Sequence, residues 1–239
     1  MHIDSSSSTR CDVYHLGTVE CVRAFQLQKQ LLKARHVGRI NDLILILDHF
    51  PVLTIGKVGY IPDHILVAKE ILDLECIAIC HTERGGGITY HGPGQLVCYP
   101  IFNLRSKGIT VRQYIHCLEE VIINLLAYFD IDAQRSLNTP GVWVGEKEIS
   151  SIGIYISHGI TMHGFTLNVN NELGPFSYIA PCGVPGKKFT SVAQISGIEI
   201  PVENFITPLI STFCHVFNLK IEKKKPELLD GYYLSLIHI

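Results

Sequence analysis

The 239-residue chain has no apolar run approaching the roughly 18 residues that cross a bilayer, so no membrane span is expected. Its opening stretch, MHIDSSSSTRCD, has no apolar core and only one arginine, and so reads as neither a secretory signal nor a good transit peptide. Neither charge sign is in surplus: the formal net charge is −2, and the basic field that general nucleic-acid binding needs is missing. Eight cysteines are too sparse for a disulfide scaffold at this length, so free thiols in a reducing compartment are the expectation. Phosphate-loop signatures are missing as well. Gly56-Lys57 and Gly186-Lys187 lack the upstream glycine and the following hydroxyl of a Walker loop, and Gly85 with Gly87 would need a third glycine where Tyr90 stands.

What remains is an ordinary globular composition, 47% hydrophobic and 18% charged, in a chain long enough to bury a proper core. Residues 19–38 read as a helix with Val22, Phe25 and Leu32 on one stripe and Gly38 at its end. LILIL (43–47), apolar on both faces, reads as a central strand, and VLTIG (52–56) as another. CIAIC (76–80) and LVCYPIFNL (96–104) read as strands on either side of a glycine-rich loop. Thr110 and Gln113 form a capping box for a long helix whose apolar face is Val111, Ile115, Leu118, Ile122, Leu125 and Phe129. Strands over 141–144, 149–156 and 160–169 follow, the first two joined by a tight turn, and a last helix runs near 202–217. The pattern predicts a single α+β domain with a mixed, largely antiparallel central sheet flanked by helices. Residues 1–11 read as a disordered N-terminal segment, 12–220 as the folded domain, and 221–239, ending in LSLIHI, as a tail.

Cys76, Cys80 and His81 are the tightest cluster of candidate metal ligands. On a strand the two cysteines would lie roughly 13 Å apart at about 3.3 Å per residue, too far for a shared tetrahedral ion, and buried structural thiols are the expectation. No metal is expected.

Three stretches carry chemistry. RGGGITYHGPGQ (84–95) packs glycine and proline around His91, as where backbone comes close to a ligand, but it leads into a strand rather than an anion-holding helix N-terminus. A purely structural turn would look the same. IAPCGVPGKKFTSV (179–192) sets Cys182 in a Pro/Gly loop, with Lys187 and Lys188 close enough in sequence to favour a thiolate; an incidental loop thiol is equally compatible. MHGFTLNV (162–169) places His163 beside Gly164 within a strand, where glycine marks a bulge or a close approach. His91 and His163 each fit a satisfied core histidine, and Cys182 with either would have the parts of a thiol acyl-transfer site.

Taken in order, HFPVLTIGK, RGGGITYHGPGQLVCYPI, GVWVG…ISSIG, HGFTLNVN and PF…IAPCG…TSV resemble the lipoyl(octanoyl) transferases, of the lipoate and biotin protein ligase superfamily. The resemblance spans roughly residues 12–197. It implies a biotin/lipoate protein ligase-like fold and transfer of an octanoyl group from octanoyl-acyl carrier protein to a lysine of a lipoyl domain. The acceptors it implies are the lipoyl domains of 2-oxoacid dehydrogenases and the glycine cleavage H protein. It requires no cofactor, and implies a cytoplasmic enzyme, or a mitochondrial one in a eukaryote. A monomer is the simple expectation.

Carried over residue by residue, the family nucleophile falls on Cys182. The substrate-lining positions fall on Arg84, Gly85, Gly86, Gly87, Ile88, Thr89, Tyr90 and His91, on Ser151, Ile152 and Gly153, and on His163, Gly164, Phe165 and Thr166. The glycine-rich loop then becomes a backbone wall along an acyl chain. One position departs from the family: the lysine five residues before the glycine of xxIG is Glu148 here, with Lys147 one residue earlier. Neighbouring strand residues face opposite ways, and a carboxylate beside a thiol disfavours the thiolate. Either a bulge near the hairpin redirects Lys147 into the site as the base, His163 replaces it, or activity is weakened. An ATP-dependent lipoate ligase and a relative that only binds acyl carrier protein or lipoyl domains are the alternatives.

Overall fold

The computed structural model describes residues 9–57, 64–136, 139–181 and 186–234. In chain order its elements are β1 (Thr9–Thr18), α1 (Cys21–His36), β2 (Asp42–Asp48), β3 (Val52–Ile55), α2 (Lys69–Leu74), β4 (Ala78–His81), β5 (Ile88–His91) and β6 (Gln95–Ile101). They continue with α3 (Val111–Ala127), β7 (Gln134–Arg135), β8 (Gly141–Val144), β9 (Lys147–Ser157), β10 (Ile160–Asn168), α4 (Val192–Ser196), α5 (Glu203–Phe217), β11 (Leu219–Lys224) and α6 (Asp230–Leu234).

Eight strands form the main sheet in the order β11-β1-β2-β6-β10-β9-β8-β7, and β4-β3-β5 form a small second sheet. Only the β11–β1–β2 pairings of the main sheet are parallel; the rest are antiparallel. This is the mixed, largely antiparallel α+β domain that the sequence pattern predicts.

One face of the main sheet, with Ile44, Ile46, Cys98, Phe165 and Leu167, packs on Leu118, Ile122 and Leu125 of α3 and Phe205, Leu209 and Phe213 of α5. The other face, with Leu43, Leu45, Val97, Tyr99 and Met162, packs on Ala24, Leu27 and Leu31 of α1. Alternate side chains of β2 therefore enter two different cores, which explains its unbroken apolar run. The capping box forms at α3: Gln113 N–H donates to Thr110 Oγ1, and Thr110 N–H donates to the Gln113 side chain at 2.8 Å.

Several expectations are corrected. The buried stripe of α1 is Ala24, Leu27, Gln28, Leu31 and Leu32, whereas Val22 is exposed, as is Val111 at the start of α3. Cys76 lies outside β4, in a left-handed conformation and exposed, so the strand is shorter than CIAIC suggested. The boundary placed at residue 220 falls inside β11, which pairs with β1 from Thr9 onward; the sheet takes in residues assigned to both terminal segments. The closing LSLIHI begins at Leu234, the last residue of α6, and residues 235–239 lie outside those described.

Candidate functional site

The glycine-rich stretch is half loop and half strand: β5 begins at Ile88 and pairs antiparallel with β3, putting Thr89 opposite Thr54. Arg84 fixes the loop before it. Its guanidinium donates to Thr54 O at 2.6 Å, Gly87 O at 2.8 Å and Gly85 O at 3.0 Å, and its Nε to Thr54 Oγ1 at 3.1 Å. Arg84 is thus consumed in stapling the loop's carbonyls to β3, the opposite of an anion-binding arrangement. Gly85 N–H reaches across to Ile154 O on β9 at 2.8 Å, and Gly56 N–H donates to Gly87 O at 2.9 Å. A Cβ on Gly56 would stand 2.4 Å from Gly86 O, so the close approach of β3's end to the loop requires glycine there.

The loop lies over β9 and β10 and closes a cavity of about 540 Å³. Of the residues expected to line the substrate, Arg84, Gly85, Gly86, Gly87, Ile88, Thr89, His91, Ser151, Ile152, Gly153, His163, Gly164, Phe165 and Thr166 all border it. Tyr90 does not. Strand alternation turns it into the small sheet's own core, edge-on to Phe176.

His91 is fully engaged. Its Nε2 meets Thr54 Oγ1 at 3.0 Å and its Nδ1 meets Gln95 Oε1 at 2.8 Å; Gln95 then donates to Asn168, and Asn168 to Thr190 O at 3.1 Å. Burial, reinforced by His49 and Arg84, holds its pKa well below the usual value, so the ring is neutral. It ties the loop to β6, β10 and the segment after the Cys182 loop.

At the β8–β9 hairpin the register skips from the pair Val142–Ser150 to Trp143–Glu148, leaving Ile149 as the extra residue of a bulge. Strict alternation would put Lys147 on the face of Ser151 and Gly153. The bulge reverses the parity, and Glu148 joins that face instead: Ser151 Oγ donates to Glu148 Oε1 at 2.6 Å. Lys147 is exposed, so the bulge anticipated near this turn exists but delivers the other residue.

Glu148, 2% exposed, forms an ion pair with Lys187, whose ammonium also lies over the rings of Trp143 and Phe189 at 5.6 and 5.5 Å. Burial raises the Glu148 pKa, and Lys187 and Ser151 oppose that rise. Glu148 N–H donates to Lys188 O at 3.0 Å and Thr190 N–H to Glu148 O at 2.9 Å, a short parallel bridge that binds residues 188–190 to β9. Cys182 lies outside the described residues. The residue before it, Pro181, borders the cavity, as does Lys187.

Other cavity residues went unread in the sequence: Thr54, Trp143 and Phe189, and Cys21, Phe25 and Gln28 of α1. Gln28, polar yet on the buried stripe at 1% exposure, was the available signal.

Residues 20–214 match the model of the lipoyl protein ligase A/B catalytic domain family. The octanoyltransferase of Alkaliphilus metalliredigens is 39% identical over 211 residues, covering 88% of this chain and 96% of that protein. A putative lipoate protein ligase from T. acidophilum, solved with bound lipoic acid, superposes with a TM-score of 0.78 at 16% identity, over 97% of this chain and 95% of that one. Lipoate-protein ligase A bound with ATP gives 0.79, also at 16% identity, over 96% and 94%. At that identity the two structures establish the fold alone.

Proposed function

The chain belongs to the lipoyl protein ligase A/B catalytic domain family, and from that premise we propose that this acyltransferase moves an octanoyl group from octanoyl-acyl carrier protein, through a thioester on Cys182, to a lysine of a lipoyl domain. The observation that carries the reading is the cavity itself. It is walled by loop backbone whose one arginine is spent on structure, and it is bordered by the residue before Cys182 and by Lys187 beyond it. Such a cavity suits a neutral, mostly hydrocarbon group and offers little to a phosphate.

In the first step the Cys182 thiolate attacks the thioester carbonyl carbon. A new S–acyl bond forms, the carrier's C–S bond breaks, and the departing carrier thiolate takes up a proton. In the second step the acceptor lysine's neutral amine attacks the same carbon; the amide forms, the amine gives up a proton, and Cys182 leaves as the thiolate. One thioester replaces another at nearly equal free energy, and the amide lies lower, so no nucleotide is consumed. In place of Lys147, Lys187 is the cation assigned to this site. Held by Glu148 against two rings, it favours the thiolate and shuttles the proton.

Transfer of octanoate to a purified lipoyl domain from octanoyl-acyl carrier protein, with nucleotide omitted, is the test. Modification of the acceptor lysine supports the reading; transfer only from free octanoate with ATP would assign the chain to the ligases instead.

A further inference from the structure

Cys21 opens α1 and Cys80 sits in β4, and the fold brings their sulfurs together: the Cys21 thiol donates a hydrogen bond to the Cys80 sulfur. Strand pairing puts Cys80 on that side independently. It lies opposite Thr54 in the parallel β3–β4 register, where paired residues share a face, and the Thr54 side chain meets Arg84 and His91 at the cavity. Cys21 borders the cavity beside Thr54, and Cys80 stands behind it, 4% exposed. Both are free thiols, and the acyl-transfer chemistry uses neither.

Two thiols in contact give up their first proton more readily than one alone, because the remaining S–H donates to the thiolate. That contact lowers the Cys80 pKa, against burial and with help from Arg84. The same contact raises the Cys21 pKa, and burial adds to the rise. The singly ionised pair therefore shares one proton between two sulfurs. Cys21 is also the first residue of a 16-residue helix whose N-cap, Glu20, makes no side-chain cap, so the free first N–H groups and the helix dipole favour a thiolate there.

We propose that Cys21 and Cys80 form a reversible dithiol–disulfide switch, which a peroxide closes and a small dithiol reopens, and that closing it narrows the cavity. The thiolate sulfur attacks one peroxide oxygen; the O–O bond breaks, and the departing hydroxide takes up a proton to become water. The second sulfur then attacks the sulfenic acid so formed. The S–S bond forms, the S–O bond breaks, and the hydroxyl leaves as water with that thiol's proton. Two thiols give up two electrons, and one peroxide becomes two waters. Dithiothreitol returns the electrons by exchange and ends as its own cyclic disulfide.

Closure shortens the sulfur contact to about 2 Å. The cavity is bordered from both sides of this junction. α1 contributes Cys21 and, one turn on along the same face, Phe25; the small sheet and its loop contribute Thr54, Thr82 and Arg84. Drawing the two sides together takes width from the space between them. That the lost width excludes an acyl chain rests on the octanoyltransferase reading.

The test uses the full chain with Cys182→Ser, which removes the proposed nucleophile and leaves octanoyl-pantetheine uncleaved. The protein is treated with hydrogen peroxide, and one half is then reduced with dithiothreitol. Peptide mass mapping should find Cys21 joined to Cys80 in the oxidised half alone. Calorimetry should show octanoyl-pantetheine binding weakened at least tenfold by peroxide and restored by dithiothreitol. Adding Cys80→Ser should abolish both the cross-link and the change in affinity. Each comparison is between two treatments of one sample, so a variant's own affinity does not enter. Absence of the cross-link overturns the switch. A cross-link with unchanged affinity, or a weakening that persists with Cys80→Ser, overturns its control of the cavity. If the reduced protein does not bind octanoyl-pantetheine at all, the octanoyltransferase reading falls, while the peptide map still decides whether the switch exists.

Discussion

Buried Glu148 and half-buried Lys187 form an ion pair at the cavity wall, joining a β9 residue to the segment that follows the Cys182 loop. The pair inverts the expected charge: the strand position that carries a lysine in the resembled family carries a carboxylate, and the cation comes from the loop side. A buried carboxylate alone would oppose a thiolate; paired with a lysine bordering the same cavity, it becomes that lysine's tether.

A charge exchange separates the roles of the two residues. Lys187→Ala should raise the pKa of Cys182 and slow acylation at neutral pH by about 10²-fold. Placing the cation on the strand in that background, as Glu148→Lys/Lys187→Ala, should recover at least tenfold of the loss. Lys147→Ala should leave the rate within about twofold, because an exposed lysine on the far side of the bulge contributes little. The pH–rate profile of Cys182 alkylation reads all three. A Lys187→Ala profile that overlies that of the native enzyme would remove Lys187 from the mechanism.

The glycine loop gives a second expectation. Gly86 has φ +82°, and a Cβ there would meet only the Arg84 guanidinium, at 3.5 Å. Valine would strain that backbone, so Gly86→Asn, whose side chain tolerates the left-handed region, is the better probe. It should fold normally and raise KM for the octanoyl donor at least tenfold by projecting into the cavity. Gly56→Ala, by contrast, should lower Tm by several degrees through its clash with Gly86 O. Thermal melts beside donor titrations distinguish these outcomes, and an unchanged KM in folded Gly86→Asn would contradict the wall.

Acid sensitivity follows from the histidines under the loop. His49, His91 and His163 all have pKa values lowered by burial, so the unfolded chain binds protons that the folded chain refuses. Their contribution is fully present above the unfolded value of about 6.5 and is lost as pH falls toward the folded values. Each can steepen the decline by up to about 1.4 kcal/mol per pH unit. Urea midpoints measured at pH 7.5, 6.0 and 5.0 should fall progressively, and a flat series would show that these rings are protonated in the folded state.

Much of this was legible in the sequence, for physical reasons. Apolar periodicity exposed the α3 face, Thr110 and Gln113 announced its start, and the unbroken run in β2 announced a strand buried on both sides. The cavity walls followed from glycine and from family resemblance. What stayed hidden depends on register. A single extra residue, Ile149, decides whether Lys147 or Glu148 faces the cavity, and period-two reasoning has no means of seeing it. The same holds for His163, whose side of the sheet is set by one backbone angle. β11 escaped notice because a charged edge strand looks like a tail until its partner, β1, is known.

The central claim is the acyl-enzyme, and intact mass spectrometry after incubation with octanoyl-acyl carrier protein tests it most directly. The account predicts the gain of one octanoyl group, without ATP, released by hydroxylamine and absent in Cys182→Ser. A native chain that transfers octanoate to a lipoyl domain yet never carries the acyl group, or a Cys182→Ser chain that still carries it as a thioester, would contradict it.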